Sequence, residues 1–259
     1  MAPKPSLTVA PADQPWAGDA MAVRYDSAGN RTFYQAVLAR LLDGAPELRE
    51  GRALDLGCGT GFSTEVLLHR FAGLHWEGVD VSAAVTARAQ GKPSLARARF
   101  HQAAAEALPF EDGRFDLVVS NFAWHWFGAA AGGEVLRVLR PGGWLLLSAP
   151  LRQLSRAAGN RWLARALLAG RRHLVRAQSQ GFRFDDLPRC LPAGLHVRRL
   201  DTAVVEETFA GATELLRTLD SRGSLHAIFG NRPPLGPAPA TPLAFEWHVG
   251  LVHARRPES

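Results

Sequence analysis

Residues 53–68 read ALDLGCGTGFSTEVLL. The segment starts with the end of an apolar strand, continues with glycines at positions 57, 59 and 61, and leads into a helix expected from about Ser63. Glycines permit a tight turn and let the backbone approach a ligand, and the first turn of a helix carries unpaired N–H groups. Residues 57–61, which we call the glycine loop, are therefore predicted to bind a ligand.

The spacing of the glycines and two nearby carboxylates indicate the kind of ligand. A dinucleotide-binding loop has the pattern G-x-G-x-x-G, whereas this loop has G-x-G-x-G. Asp55 lies two residues before the first glycine, where a carboxylate suits the ammonium and sulfonium of a methionine derivative better than a pyrophosphate. Asp80 ends a predicted strand 19 residues beyond Gly61, where a carboxylate can accept both hydroxyls of a ribose.

Short apolar runs alternate with helical patterns around this loop. Near-continuous apolar strands separated by helices predict a parallel sheet that is covered on both faces. A helix over Asn30–Leu42 and another over Gly133–Arg140 carry buried stripes, and Pro141-Gly142-Gly143 is predicted to turn the chain into the next strand. The predicted strands are Arg52–Leu56, Leu74–Asp80, Arg97–Gln102, Phe115–Ser120 and Trp144–Ala149.

The regular alternation of strand and helix patterns ends at Pro150. Helices and loops rich in Arg are expected there, followed by a strand at Leu195–Leu200, a helix around residues 212–219 and a strand at Leu243–His253. The last strand alternates cleanly, which is typical of an antiparallel strand near a sheet edge. We expect one α/β domain over residues 1–259, divided into a loose leader (1–20), a cofactor-binding core (21–150), a helical lid insertion (151–194) and C-terminal strands with a helix (195–259).

Composition excludes several classes of protein. Hydrophobic residues make up 47% and charged residues 21% of the chain, which is ordinary for a globular domain. Cys58 and Cys190 show neither disulfide nor metal-ligand spacing, so a reducing cytoplasm is expected and no metal or membrane span is predicted. The net charge of +6 has two readings, the Arg usage of a GC-rich genome or an acidic partner that approaches one face.

With these motifs the sequence resembles the class I, S-adenosylmethionine-dependent methyltransferases, over roughly residues 20–150. The resemblance extends to ALPFEDGRFDLVVSNFAWHWF (107–127) and EVLRVLRPGGWLLLSAP (134–150). It implies a Rossmann-like, mostly parallel seven-stranded sheet with an antiparallel last strand, and S-adenosylhomocysteine as product. It also implies that Ala105 and Glu106 lie along the adenine and that Asn121 and Phe122 lie beside the methionine part. Many relatives have Asp where this chain has Ala104, so adenine recognition would depend on backbone groups.

A narrower resemblance leads to the malonyl-acyl-carrier-protein O-methyltransferases of biotin synthesis. It is carried by AVRYDSAGNRTFYQAVLARLL (22–42), SNFAWHW (120–126), FAGATELLRTLDSRGS (209–224) and FEWHVGLVHARRP (245–257). It implies a malonyl group on an acyl-carrier protein as methyl acceptor. Related methyltransferases of small carboxylic acids share several of these motifs, so the acceptor stays open between the two.

The resemblance also suggests roles for single side chains. Tyr25 would lie over the cofactor, although packing at a helix entry is the alternative, and Cys58 is read as a small filler of the loop. His125 and Trp126 are possible acceptor-side residues, although a His here can simply cap the next helix. No catalytic residue is named, because a carboxylate acceptor with a pKa near about 4 is already ionised at pH 7. The predicted cofactor-binding set is Tyr25, Asp55, Gly57, Cys58, Gly59, Gly61, Asp80, Val81, Ala105, Glu106, Asn121 and Phe122.

Charge and motifs give different indications about binding partners. Arg161, Arg165, Arg172 and Arg176 would fall within an arc of roughly 60° on a helix, which predicts either a solvated face or a basic docking surface for a carrier protein. Nucleic acid is disfavoured, because base methylation usually shows an Asn/Asp-Pro-Pro-aromatic motif where this chain has Ser120-Asn121-Phe122-Ala123. A non-catalytic binding module is disfavoured by the intact glycine loop and its two carboxylates. The oligomeric state is not predicted.

Overall fold

A computed structural model describes residues 19–151, 155–169, 186–222 and 241–258 of the protein. It contains one seven-stranded sheet in the order β3-β2-β1-β4-β5-β7-β6. Neighbours among β1–β5 are parallel, and β7 runs antiparallel to both β5 and β6. The strands, numbered along the chain, are β1 (Gly51–Leu56), β2 (Leu74–Asp80), β3 (Ala98–Gln102), β4 (Phe115–Asn121), β5 (Leu139–Pro150), β6 (His196–Phe209) and β7 (Leu243–Arg255). The predicted Rossmann-like sheet with an antiparallel last strand is thereby confirmed.

Helices cover both faces of this sheet. The second helix begins earlier than predicted, because the Ser27 hydroxyl caps it by accepting a hydrogen bond from the Asn30 N–H (3.3 Å). Its buried side chains recur every three to four residues and end at Leu41. The α-helices of the described residues are α1 (Asp19–Tyr25), α2 (Ala28–Leu42), α3 (Phe62–Arg70), α4 (Ala83–Gln90), α5 (Ala131–Val138), α6 (Ala158–Ala169) and α7 (Ala212–Ser221).

The hydrophobic core has a layer on each face of the sheet. Side chains of β1 alternate between the layers, since Ala53 packs with α2 and α3 on one face, whereas Leu54 and Leu56 pack with α5 on the other. All three side chains are fully buried, and burying one Leu contributes about 2 kcal/mol. The glycine loop is thus held at the end of a rigid central strand.

The boundary between α5 and β5 also differs from the sequence-based expectation. Helix α5 ends at Val138, and β5 begins at Leu139 rather than at Trp144, because Leu139 already pairs with Phe115. The Pro-Gly-Gly segment therefore lies inside β5 and does not precede it, and the pairing of β4 with β5 shifts its register there. Strand β7 lies next to the edge strand β6, which agrees with its predicted place near a sheet edge.

Position inside the sheet also changes the burial of β7. Its alternation of buried and exposed residues covers only Leu243 to Phe245. Residues 246–248 are partly buried, and every residue from Val249 to Ala254 is buried. Both neighbours and both faces of this half are covered, so no side of it meets solvent.

Part of the predicted lid is described. Helix α6 packs Trp162 and Leu163 against Phe209 and Phe245, and Arg161 and Arg165 are exposed. Arg172 and Arg176, like the predicted leader up to residue 18, lie outside the described residues. No helix within the described ranges has the length and apolar character that crossing a membrane requires.

Candidate active site

The glycine loop lies where β1 and β2 end. The N–H groups of Gly57 and Cys58 both donate to the carbonyl of Val79, at 2.8 and 3.0 Å, and so anchor the loop across the two strands. Gly61 has φ +88° and precedes the first turn of α3. Ligands of parallel α/β sheets bind outside the carboxyl ends of their strands, and this is such a place.

Asp55 carries a buried carboxylate that is only half satisfied. Its Oδ2 accepts a hydrogen bond from the Thr64 hydroxyl at 2.6 Å, whereas its Oδ1 has no partner among the described residues. Burial raises the pKa of Asp55 to about 7, although the Thr64 hydrogen bond opposes the shift. A buried carboxylate oxygen without a donor is costly, and a cationic ligand would supply the missing partner.

Asp80 holds the loop from the side of β2. One carboxylate oxygen accepts from the Gly59 N–H and the other from the Ser82 N–H, both at 3.0 Å. Burial raises the pKa of Asp80, against the effect of these backbone hydrogen bonds. Each carboxylate oxygen keeps a second lone pair for a ligand hydroxyl. Val81 follows, and its carbonyl accepts from Gln102 Nε2 at 3.3 Å.

Tyr25 covers the glycine loop. A Cβ added to Gly59 would lie 3.1 Å from Tyr25 Cε1 and 3.3 Å from its hydroxyl oxygen. Burial raises the pKa of Tyr25 well above its usual value, and the charges of Asp80 and Asp55 add to the shift. The structure therefore brings Tyr25, both carboxylates and Gly59 together at one place.

Asn121 is the last residue of β4, and Phe122 follows it. The Asn121 amide donates to the Tyr34 carbonyl and the Ser63 hydroxyl, both at 2.9 Å, and accepts from the Ser148 hydroxyl at 2.8 Å. Its polar atoms are thus used to join α2, α3 and β5 to β4. Phe122 has φ +56°, which is strained for a residue with a side chain and is found preferentially at functional sites.

His125 and Trp126 lie in a 3-10 helix over Trp124–Trp126 that follows β4. The His125 ring is 5.6 Å from the Phe122 ring and 4.6 Å from the Trp126 ring, centroid to centroid. Burial lowers the pKa of His125 to about 3, and its Nδ1 has no hydrogen-bond partner among the described residues. The imidazole is therefore neutral at pH 7 and has one ring nitrogen available.

Ala105 and Glu106 lie on the segment that follows β3. The Ala103 N–H donates to the Asp80 carbonyl at 3.0 Å, which places the start of this segment beside Asp80. Ala105 is buried, and the Glu106 carboxylate accepts from the Gly128 N–H. Glu106 therefore also braces the loop beyond Trp126.

Several residues that help to form the site were not predicted from the sequence. Thr64 orients Asp55, and the Phe122 ring meets Phe33 at 5.2 Å and Trp247 at 6.1 Å. Thr64 lies nine residues after Asp55, which is a visible local spacing. Phe33 and Trp247 belong to elements far apart in the chain, so no local pattern indicates that they meet.

Comparisons with known proteins agree with this geometry. Residues 54–147 match a family model described as a methyltransferase domain. The chain is 31% identical over 218 residues to a malonyl-[acyl-carrier protein] O-methyltransferase of Halorhodospira halophila, covering 81% of this chain and 70% of that protein. The chain belongs to the class I, S-adenosylmethionine-dependent methyltransferases and is an enzyme of that class.

Two further similarities add detail. A trans-aconitate 2-methyltransferase of Deinococcus radiodurans is 38% identical over 107 residues, or 40% of each chain. The structure of geranyl diphosphate C-methyltransferase from Streptomyces coelicolor, determined with S-adenosyl-L-homocysteine, has a TM-score of 0.55 and 15% identity. That likeness covers 89% of this chain and 83% of the other, and it shows the shared fold.

Proposed function

We propose that the protein transfers the methyl group of S-adenosylmethionine to a carboxylate, and that the acceptor is a malonyl group carried by an acyl-carrier protein. The observation that carries the proposal is the state of His125, a neutral imidazole beside Phe122 whose Nδ1 has no hydrogen-bond partner in the part of the chain that the structure describes. With a pKa of about 3, it is a poor base at pH 7. A carboxylate needs no base, because it is already ionised at that pH.

The described residues fit the cofactor. Asp55 Oδ1 has no donor within the described ranges and would accept a hydrogen bond from the ammonium group of the methionine part. Asp80 would bind the ribose hydroxyls, and Ala105 and Glu106 would lie along the adenine. When bound, the cofactor supplies a methyl group made electrophilic by the positively charged sulfur.

On the acceptor side, the protein needs only to orient the carboxylate nucleophile toward the methyl group. Phe122 brings aromatic surface to this side, with the Tyr34 ring 6.1 Å and the His125 ring 5.6 Å away, and such a surface excludes water and favours a fixed orientation of the reactants. His125 Nδ1 would donate a hydrogen bond to the acceptor oxygen that is not methylated. Such a bond orients the carboxylate without removing a proton.

Two relatives support the choice of acceptor. The names of the Halorhodospira and Deinococcus proteins refer to malonyl and trans-aconitate acceptors, which both carry carboxylates. The longer alignment belongs to the malonyl-acyl-carrier-protein enzyme. We therefore place the carrier-bound malonyl group first and a free polycarboxylic acid second.

Product chemistry tests this function. With methyl-labelled S-adenosylmethionine, we expect label on malonyl-carrier protein that mild alkali releases as methanol, because methyl esters hydrolyse under these conditions. Acetyl-carrier protein is the matched control, since it presents the same protein without the free carboxylate. Alkali-stable label, or equal label on both carrier proteins, would contradict carboxyl methylation. Labelling of trans-aconitate but not of malonyl-carrier protein would retain the chemistry and replace the acceptor.

The exposed basic residues of α6 offer a docking surface for an acidic carrier protein. We expect the pair R161E and R165E to raise the apparent KM for malonyl-carrier protein about threefold, and more at low salt, because a few surface charges mainly affect encounter. A small malonyl thioester should keep its KM. The control is R49E, which changes charge at an exposed residue next to the amino end of β1, opposite the site. Equal effects on both acceptors would assign α6 to pocket structure instead.

A further inference from the structure

Asp26 directly follows Tyr25 and binds the glycine loop and the end of α4 at once. Its Oδ1 accepts from the Thr60 hydroxyl at 2.9 Å and from Lys92 Nζ at 2.7 Å. Lys92 Nζ also donates to the Thr60 carbonyl at 2.7 Å, and Arg88 lies 3.4 Å from Asp26 Oδ2. The three segments that carry Tyr25, the glycine loop and Lys92 are joined by this cluster.

The contacts among Asp26, Lys92 and Thr60 are largely shielded from solvent, whereas Arg88 is 41% exposed. Thr60 is fully buried, and the side chains of Asp26 and Lys92 are 13% and 17% exposed. Charge-assisted hydrogen bonds are stronger than neutral ones, and partial burial reduces their screening by salt. The arrangement therefore fixes the Tyr25–Asp26 peptide relative to the loop more firmly than a surface ion pair would.

Aromatic contacts continue the same connection to the Tyr25 ring. Lys92 Nζ lies 4.9 Å from the centroid of Phe62, and Phe62 stacks on Tyr25 at 5.7 Å with an interplanar angle of 19°. On the other side, Asn30 Nδ2 donates to the Tyr25 carbonyl at 3.0 Å. Polar bonds hold the backbone of this corner while stacking holds the ring over Gly59.

We propose that Asp26 is a positioning residue which, through Lys92 and Thr60, locks Tyr25 across the glycine loop and so closes the cofactor site. The inference depends on the proposed placement of the cofactor at Gly59, Asp55 and Asp80. Asp26 acts through Tyr25 and is not itself a ligand of the cofactor. The Asp26–Lys92 pair thereby determines how tightly the nucleoside end of the site is covered.

The test measures the affinity of the full chain for S-adenosylhomocysteine by calorimetry. We expect D26N and K92M each to raise Kd about fivefold, the scale of a partly shielded ion pair, and K92R to restore most of the affinity. The melting temperature of the ligand-free protein should change little. The control E47Q removes an ion pair of similar length, Glu47–Arg70 at 2.6 Å, which lies away from the site.

A double-mutant cycle separates positioning from general stabilisation. In a Y25L background, D26N should no longer change Kd, because its effect passes through Tyr25. A full fivefold effect in that background would overturn the proposal, as would unchanged affinity in both D26N and K92M. If D80A also leaves Kd unchanged, the cofactor placement itself fails; if D80A weakens binding while D26N and K92M do not, only the lock is wrong. If D26N folds poorly, the same test can be made at Lys92, by comparing the Kd of K92M with that of K92R.

Discussion

The two sides of the site are built on different principles. Around β1 and β2, carboxylates are held by near neighbours in sequence, such as Thr64 for Asp55 and Ser82 for Asp80. Beyond β4, the wall consists of aromatic rings and a neutral imidazole, and Phe122 meets Phe33 and Trp247 from distant parts of the chain. The first side can be recognised from a short motif, and the second exists only after folding.

This difference agrees with the proposed roles of the two sides, which are cofactor binding and acceptor binding. A cofactor with fixed charges can be bound by a fixed pattern of carboxylates and N–H groups, which a contiguous segment can supply. An acceptor differs between enzymes of one fold, so its wall comes from elements that can vary independently. Variants on the cofactor side should therefore change Kd for S-adenosylhomocysteine, and variants on the acceptor side should change only KM for the acceptor.

The largest effect is expected for G59V. The loop residue has φ +53°, which costs a side-chain-bearing residue about 1–2 kcal/mol, and a new Cβ would crowd Tyr25. We expect Kd for S-adenosylhomocysteine to rise about a hundredfold or more, since each 1.4 kcal/mol is about tenfold. In G133V an added Cβ meets nothing within 4 Å, so this control should bind normally. Normal binding by G59V would remove the loop from the cofactor site.

D80A should weaken cofactor binding by about 1–3 kcal/mol, the value of hydrogen bonds to a charged group. D80N is the matched variant, because it keeps one oxygen as acceptor and the shape of the side chain. Titration calorimetry should place D80N between the wild type and D80A. Equal loss in both would mean that charge matters and the hydrogen bonds do not.

The pKa of Asp55 predicts a pH dependence of cofactor binding. Burial raises this pKa to about 7, so the carboxyl of the free protein is largely protonated at pH 6 and ionised at pH 8. A cationic ligand needs the ionised form, so Kd should rise about tenfold from pH 8 to pH 6, and D55N should flatten the profile. By the same linkage, Asp55 lowers the unfolding free energy of the ligand-free protein as pH rises from about 4 to 7. An identical pH profile in D55N would exclude Asp55 as the titrating group.

The smallest effect tests the acceptor side. H125F keeps an aromatic ring beside Phe122 but removes the ring nitrogen, and we expect KM for the malonyl acceptor to rise about fivefold, as for one lost hydrogen bond. Kd for S-adenosylhomocysteine should stay unchanged. With a His125 pKa of about 3, kcat/KM should show no imidazole inflection between pH 6 and 8. A change in cofactor affinity would erase the distinction between the two sides.

The sequence predicted what depends on local pattern. Strand β2 has the predicted bounds, because a mostly apolar run and the carboxylate at its end are both visible in Leu74–Asp80. The start of β5 was missed, since a Pro-Gly-Gly turn hides the pairing of Leu139 with Phe115. The predicted antiparallel strand near a sheet edge is β7, but that β6 lies outside it was not predicted, because strand order depends on partners and not on the strand's own pattern.

In the site, too, local spacing was predicted correctly and long-range contacts were not. Asp55, Asp80 and Gly59 were placed together by motif spacing, and the structure gathers them with Tyr25. Asn121 was expected beside the cofactor as a motif position, yet its amide is engaged by Tyr34, Ser63 and Ser148. Its proposed role toward the methionine part therefore depends on position rather than on free hydrogen-bonding capacity. Such networks combine residues from four elements, which spacing along the chain does not reveal.

The insertion of β7 between β5 and β6 determines the order in which the protein can be completed. In a chain made from its N-terminus, β5 lacks its outer partner and β6 has nothing in the sheet to pair with until residues 243–255 have emerged. The cofactor half, β1 to β5, can therefore assemble before the acceptor wall, which receives Trp247 only with the last strand. Such late, non-local pairing is slow and leaves a strand edge open to other chains. The newly made enzyme would thus be able to bind its methyl donor before it can select a methyl acceptor.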